Sequence, residues 1–169
     1  MKQRTGLAAL AILFLVVGGV ARGAGDNHKE SLRGLTGVGV RVEALTGPAL
    51  DDGPDMKNVQ GDVEQQLKKA GINVLTAAQL AQEPGSPVLY IAITAKMRLG
   101  KPPYAVRMTA VLLQNVTSIR DPKLTLREAK TWDAGYVTPL EPRDLAQSRA
   151  MVGDLVNEFI ADWRAVNKK

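Results

Sequence analysis

The clearest alternation of apolar and polar residues runs through Pro87–Ile119, the longest stretch that the pattern predicts as β. Five apolar residues of its first half share one parity: Leu89, Ile91, Ile93, Ala95 and Met97. This period of two is typical of a half-buried strand. Gly100–Pro103 interrupts the run, so the pattern predicts a hairpin of two long strands. Because an isolated hairpin is marginal in water, the rest of the chain must cover one of its faces.

The second strand of the hairpin keeps the alternation only in part. Val106, Met108, Ala110 and Leu112 share one parity, but Val111, Leu113 and Ile119 carry apolar side chains on the other. Either a bulge near Leu112-Leu113 shifts the register, or the far end of the hairpin is covered on both sides.

A strand, a helix and a second strand precede the hairpin. Val38–Leu45 alternates, Met56–Ala70 has apolar residues at steps of three and four, and Ile72–Leu75 is a short apolar run. Asp55 is a candidate N-cap, and Gly71 can supply the left-handed residue that ends the helix. The order predicts a βαβ unit.

Two further elements follow the hairpin. Leu124–Val137 alternates poorly and carries charged residues, as expected of an edge strand. Arg143–Val166 has a continuous apolar stripe and predicts one long helix. The chain is therefore predicted to be an α+β two-layer sandwich: a mixed sheet of four or five strands with the two main helices on one face.

The N-terminus resembles a secretory signal peptide. Lys2 and Arg4 precede the uncharged run Leu7–Ala21, which as a helix of about 22 Å is short for a bilayer core of about 30 Å. Small residues follow, so residues 1–21 are predicted to be a signal with cleavage near Ala21–Ala24. The alternative is an uncleaved membrane anchor. Residues 22–34 are polar and predict a flexible leader, and 35–169 a single domain.

Composition limits the function classes. The chain has no cysteine, which excludes disulfides, thiolate metal sites and a bacterial lipid anchor. Without Lys2 and Arg4 it has 20 basic and 17 acidic residues, a net charge of +3. The basic residues are scattered, whereas nucleic-acid binding requires a cluster. We therefore expect an exported protein, periplasmic or extracellular, with no nucleic-acid partner and no membrane contact after signal cleavage.

The sequence offers little for catalysis. The single histidine, His28, lies in the predicted leader. Glu128 and Asp133 could form a carboxylate pair, but strand alternation places them on opposite faces. Asp51 and Asp52 lack the spacing of a calcium loop. We therefore expect no enzyme, no cofactor and no metal site.

Two aromatic residues are candidate partner contacts. Trp132 and Tyr136 lie in a strand whose surroundings are polar, and an exposed Trp beside a Tyr is typical of binding hot spots. The alternative is that Trp132 closes the edge of the core.

Several segments resemble a family of small uncharacterised exported bacterial proteins. They are LRGLTGVGVRVEAL, VEQQLKKAGINVLTAAQ, PGSPVLYIAITA, YAVRMTAVLLQNV, AKTWDAG with Thr131-Trp132, and FIADWRAVN. The resemblance implies export and a single α/β domain, and it brings no catalytic residue. In the order of its elements the chain is also similar to periplasmic accessory domains of the TolB N-terminal type.

The expected function is a non-catalytic periplasmic binding or accessory domain that engages a protein partner through a sheet face or an edge strand. One alternative is a small apolar ligand in a pocket between sheet and helices, where Met56, Met97, Met108 and Met151 would adapt to it. A carboxylate enzyme is the other alternative.

Overall fold

The computed structural model describes residues 27–43, 53–98 and 100–167. The predicted signal peptide, residues 22–26 of the predicted leader, and Asp51 and Asp52 lie outside the described residues.

The centre of the fold is a mixed five-stranded sheet. Its strands are β1 (Gly37–Val42), β2 (Asn73–Val74), β3 (Val88–Arg98), β4 (Lys101–Thr117) and β5 (Thr125–Leu140). Their order across the sheet is β2-β1-β3-β4-β5. The strand β1 is parallel to both of its neighbours, β2 and β3. The pairs β3–β4 and β4–β5 are antiparallel.

Helices complete the two layers. They are α1 (Asn27–Glu30), α2 (Met56–Lys69), α3 (Ala77–Leu80), a 3₁₀ helix (Pro142–Gln147) and α4 (Ser148–Val166). The two main helices, α2 and α4, pack on each other; α2 lies against β1, and α4 against β4 and β5. The α+β sandwich expected from the sequence is confirmed.

Helix α2 begins and ends as the sequence predicts. The Asp55 side chain accepts a hydrogen bond from the Lys57 backbone N–H, 2.9 Å away. At the other end Gly71 has a φ of +86°, and the N–H groups of Gly71 and Ile72 bond to the carbonyls of Lys68 and Leu67. This pair of bonds is a Schellman motif. The buried Ile72 then leads into β2, which completes the βαβ unit.

The C-terminal helix is shorter than predicted. Instead of one α-helix over 143–166, Pro142–Gln147 forms a 3₁₀ helix before α4 begins at Ser148. The backbone N–H of Ser148 bonds to the Leu145 carbonyl, and so does its buried hydroxyl, at 2.7 Å. Both bonds span three residues, which is the 3₁₀ spacing.

The hairpin of β3 and β4 is confirmed. Of the two alternatives for its far end, a register shift at Leu112-Leu113 is found, but it lies in the pairing of β4 with β5, while β3 and β4 stay in register there. The register between β4 and β5 shifts between Leu112 and Leu113, and again between Gln114 and Val116. The Gln114 side chain donates to the Thr131 hydroxyl at 2.8 Å and to the Ser31 carbonyl at 3.3 Å. The bulge is thus stabilised by side-chain hydrogen bonds that the regular ladder does not provide.

The folded domain extends further toward the N-terminus than predicted. Leu32, expected in a flexible leader, is fully buried in the core. Gly34 N–H donates to the Asn167 side chain at 2.7 Å, and that side chain donates back to the Leu32 carbonyl at 2.8 Å. The leader prediction is therefore wrong for residues 27–34, because Leu32 is buried in the core and hydrogen bonds to Asn167 tie the segment to the end of α4.

Candidate binding surfaces

The two residues predicted to contact a partner belong to the layer between sheet and helices. Trp132 is 1% exposed. Its ring meets Phe159 edge-on at 5.1 Å, and its indole N–H donates to Asp162 at 3.1 Å. Tyr136 is half-buried, and its hydroxyl donates to the Met151 carbonyl at 3.2 Å.

Trp132 is therefore not exposed, and its burial supports the alternative interpretation, in which Trp132 closes the edge of the core. Trp132 and Tyr136 share a parity with Ala134, and this parity of β5 faces α4. The polar neighbours Thr131 and Asp133 belong to the other parity, so they say nothing about the surroundings of Trp132. Burial also raises the pKa of Tyr136, with a smaller contribution from Asp154.

The sheet face opposite α2 and α4, here called the open sheet face, carries the side chains that alternate with the core. It includes Arg41, Tyr90, Thr94, Lys96, Arg107, Val111 and Val137. Its β1 end is partly covered by the chain, since Leu80 of α3 lies against Gly39. The remainder presents two exposed cations, Lys96 and Arg107, beside Val137, which is 66% exposed.

A polar cluster occupies the middle of the open sheet face. The Arg41 guanidinium lies 5.2 Å from the centroid of the Tyr90 ring and donates to Glu128 at 3.0 Å. The Tyr90 hydroxyl donates to Glu43. This hydrogen bond is the main cause that raises the pKa of Tyr90, with further contributions from burial and from the Glu43 charge; Arg41 opposes them.

Strand β5 forms one edge of the sheet. It is 16 residues long, whereas β2 at the other edge has only two. Its first half carries Arg127, Glu128 and Lys130, and Glu128 has a φ of +49°. Charges and distorted backbone oppose strand addition there. The second half, from Asp133 to Thr138, is a regular ladder with β4, so it is the part suited to pair with another strand.

The pairing of β3 with β4 stops at Val88, the first residue of β3, which lies opposite Leu113. Past this point β4 and β5 continue alone as a two-stranded projection, here called the β4–β5 arm (residues 114–129). Its base is held by a 2.7 Å hydrogen bond from Asn115 N–H to the Gly85 carbonyl and by the Arg41–Glu128 ion pair. Its outer part exposes Ile119 at 99%, Leu124 at 47% and Leu126 at 48%.

The pocket expected between sheet and helices has no counterpart among the grooves described here. Met108, one of its four predicted lining residues, is fully buried, and Met56, Met97 and Met151 pack against the core. An open groove of about 370 Å³ lies instead between α2 and the start of α4. Arg149 bonds to Asp62 across this groove at 2.6 Å, which lowers the pKa of that carboxyl.

The two carboxylates considered for catalysis have separate partners. Glu128 pairs with Arg41, whereas Asp133 lies 3.2 Å from Lys130 and 3.5 Å from Nε2 of His28. The alternation used to place them on opposite faces does not extend across the bulge. In the described part of the chain, no group of three His, Asp or Glu residues could hold a metal ion.

Of the helices described, none combines the length and the apolar character needed to cross a membrane.

No family model matches the chain, and no curated protein does. Among solved structures it is similar to the PelC dodecamer from Paraburkholderia phytofirmans, with a TM-score of 0.42 and 14% identity over 79% of this chain and 89% of that one. A single-residue variant of the same dodecamer gives the same score and identity over 76% and 87%. A similarity at this level assigns neither a function nor an oligomeric state to the present chain.

Proposed function

We propose that this chain is a non-catalytic, exported binding domain that engages a protein partner through the open sheet face and the edge of β5. The observation that carries the proposal is the long edge strand, whose regular half from Asp133 to Thr138 adjoins the exposed Val137. An extended segment of a partner can add to such an edge by main-chain hydrogen bonds, while side-chain contacts on the face supply specificity.

Two features support this reading over a catalytic one. In the described residues Ser148 is the one buried polar side chain, and its hydroxyl is bonded to a backbone carbonyl. Four titratable groups of the open sheet face, Arg41, Tyr90, Glu43 and Glu128, are tied to one another in one cluster. Such a cluster fixes the shape and charge of a surface, whereas general acid–base catalysis uses a group with a pKa near the working pH.

The N-terminal sequence supports the place of action. The basic residues Lys2 and Arg4, the apolar run Leu7–Ala21 and the small residues after it favour export to the periplasm or beyond. The first step of a test is therefore to locate the tagged chain by cell fractionation. The mass of the exported chain then shows whether the signal has been cleaved and at which residue.

The binding role is tested by capture of partners from a periplasmic extract with the exported chain as bait. Val137→Lys places a charge on the proposed surface and should abolish capture, because a lysine on an edge strand opposes pairing. Gln65→Lys is the matched control, since Gln65 is exposed on α2 on the opposite side of the sheet. A partner captured equally by both variants would place binding elsewhere, and absence of any specific partner would contradict the proposal.

A further inference from the structure

The tip of the β4–β5 arm combines apolar and basic side chains that the core does not use. Ile119 is 99% exposed and Leu124 47%. Arg120 and Lys123 stand between them in the sequence, and both are exposed. A fully exposed isoleucine at the end of a projection contributes nothing to the packing of the domain, so its position needs another explanation.

The backbone of the tip is closed by its own hydrogen bonds. Ser118 N–H donates to the Leu124 carbonyl at 3.0 Å, and Leu124 N–H to the Asp121 carbonyl at 2.9 Å. The Asp121 carboxylate accepts from Lys123 N–H at 3.0 Å, and Pro122 has no N–H to satisfy. These bonds fix the conformation of the turn that carries Ile119 and Leu124.

The charge of the tip is positive. Arg120, Lys123 and Arg127 are exposed cations of the arm. The acidic residues are Asp121, which closes the turn, and Glu128, which pairs with Arg41 at the base. Cations beside exposed aliphatic side chains complement a surface with anionic groups above an apolar layer.

We propose that the tip of the β4–β5 arm docks on the surface of an anionic lipid bilayer. Ile119 and Leu124 enter the interface, while Arg120 and Lys123 contact the phosphates of the headgroups. A bilayer fits this feature better than a protein does, because the tip is a narrow convex turn and the edge suited to strand pairing lies in the other half of β5. This proposal departs from the expectation, drawn from the sequence, of no membrane contact after signal cleavage.

The absence of cysteine allows a local test. The variant Thr117→Cys of the full chain is exported and purified as the cell delivers it, and an environment-sensitive dye is attached to the new thiol, which is exposed beside the tip. A second preparation carries the same dye on Gln65→Cys in α2. Each is mixed with vesicles of phosphatidylglycerol and phosphatidylcholine, or of phosphatidylcholine alone. A local dye reports the tip even if the apolar segment Leu7–Ala21 is retained and binds lipid by itself.

We expect a blue shift of the dye at Thr117 with the anionic vesicles only, and none at Gln65. Replacement of Ile119 and Leu124 by serine should lower vesicle binding at least about ten-fold, because it removes the apolar groups that enter the interface. Arg120→Gln and Lys123→Gln should each lower vesicle binding about five-fold, and added salt should also weaken vesicle binding. Lys69→Gln is the control: it removes an exposed cation of α2, outside the arm, and should change nothing.

The proposal is overturned if the dye at Thr117 does not shift, if Gln65 shifts equally, or if the serine variant binds like the parent chain. It is also overturned if the tip dye responds to a captured protein and not to vesicles. Loss of partner capture in Val137→Lys has no bearing on the vesicle result, so the two proposals fail independently.

Discussion

Trp132 connects the edge strand to the helix layer through two kinds of contact. Its ring packs edge-on against Phe159, and its N–H bonds to Asp162, which itself lies 3.2 Å from Lys29 of α1. One side chain therefore joins β5, α4 and the N-terminal segment.

Trp132→Ala should lower the free energy of unfolding by about 3–5 kcal/mol, because it removes the largest fully buried side chain and leaves a cavity. Trp132→Phe should cost less, since it keeps an aromatic ring but leaves Asp162 without the indole donor. Denaturant titration followed by circular dichroism measures both. Equal stability of the alanine variant and the parent chain would contradict the burial described here.

Tyr90 gives a test of the polar cluster. Because the hydrogen bond to Glu43 raises its pKa above the usual value near 10, the stabilisation from this bond is fully present below about pH 10. It is lost as the pH rises through the pKa of the folded state. Glu43→Gln removes the charge and should bring the pKa of Tyr90 down toward its usual value. Ultraviolet titration of tyrosinate, with Tyr90→Phe to assign the signal, measures the change; an unchanged titration would exclude the bond.

The sequence left open whether Trp132 is exposed or closes the edge of the core, for a reason that lies in alternation itself. The polar residues beside it in the chain point away from it, and its real surroundings come from α4, about 30 residues later. Asp55 and Gly71, in contrast, act on backbone groups within a few residues of themselves, so their roles follow from the sequence alone.

Helix α2 offers two glycines with opposite expected behaviour. Gly71 has a φ of +86°, a conformation that costs other residues about 1–2 kcal/mol, so Gly71→Ala should destabilise the domain by about this amount. Gly61 lies inside the helix with open space around its Cα, so Gly61→Ala should stabilise by about 0.5–1 kcal/mol.

Thermal unfolding of the two variants beside the parent chain checks this pair. Both substitutions add one methyl group, one inside helix α2 and one just after its C-cap, so the comparison cancels any general effect of alanine. A change of the same sign in both would contradict the C-terminal geometry of α2.

The elements differ in how far local pattern determines them. The β3–β4 hairpin follows from the alternation and is confirmed, whereas the change of parity left two alternatives open, and the register shift at Leu112-Leu113 lies between β4 and β5. The start of α4 could not be predicted in this way. Pro142–Gln147 has residues that suit an α-helix, but hydrogen bonds from Ser148 to the Leu145 carbonyl hold this segment as a 3₁₀ helix. Nothing in the sequence pattern predicts the β4–β5 arm except Ile119, whose apolar side chain falls on the parity expected to be polar.

At the scale of the whole molecule, the N-terminal segment is part of the core. Leu32→Ala should cost about 2–5 kcal/mol of unfolding free energy, because Leu32 is fully buried. Arg33→Ala is the matched control: the neighbouring side chain is exposed, and its ion pair with Glu30 is a surface contact worth at most about 1 kcal/mol. Chemical denaturation compares the two, and equal losses would show that residues 27–34 do not dock.

The hydrogen bonds from Asn167 to the segment around Leu32 and Gly34 also have a kinetic meaning. They join residues 133 to 135 positions apart, and the Trp163 indole donates to the Leu35 carbonyl across 128. Contacts at such separation form only after nearly all of the described chain has been made. A chain emerging from the ribosome therefore cannot form these contacts until α4 has been made. If the chain is exported in the unfolded state, this delay leaves the segment around Leu32 undocked until α4 has been made.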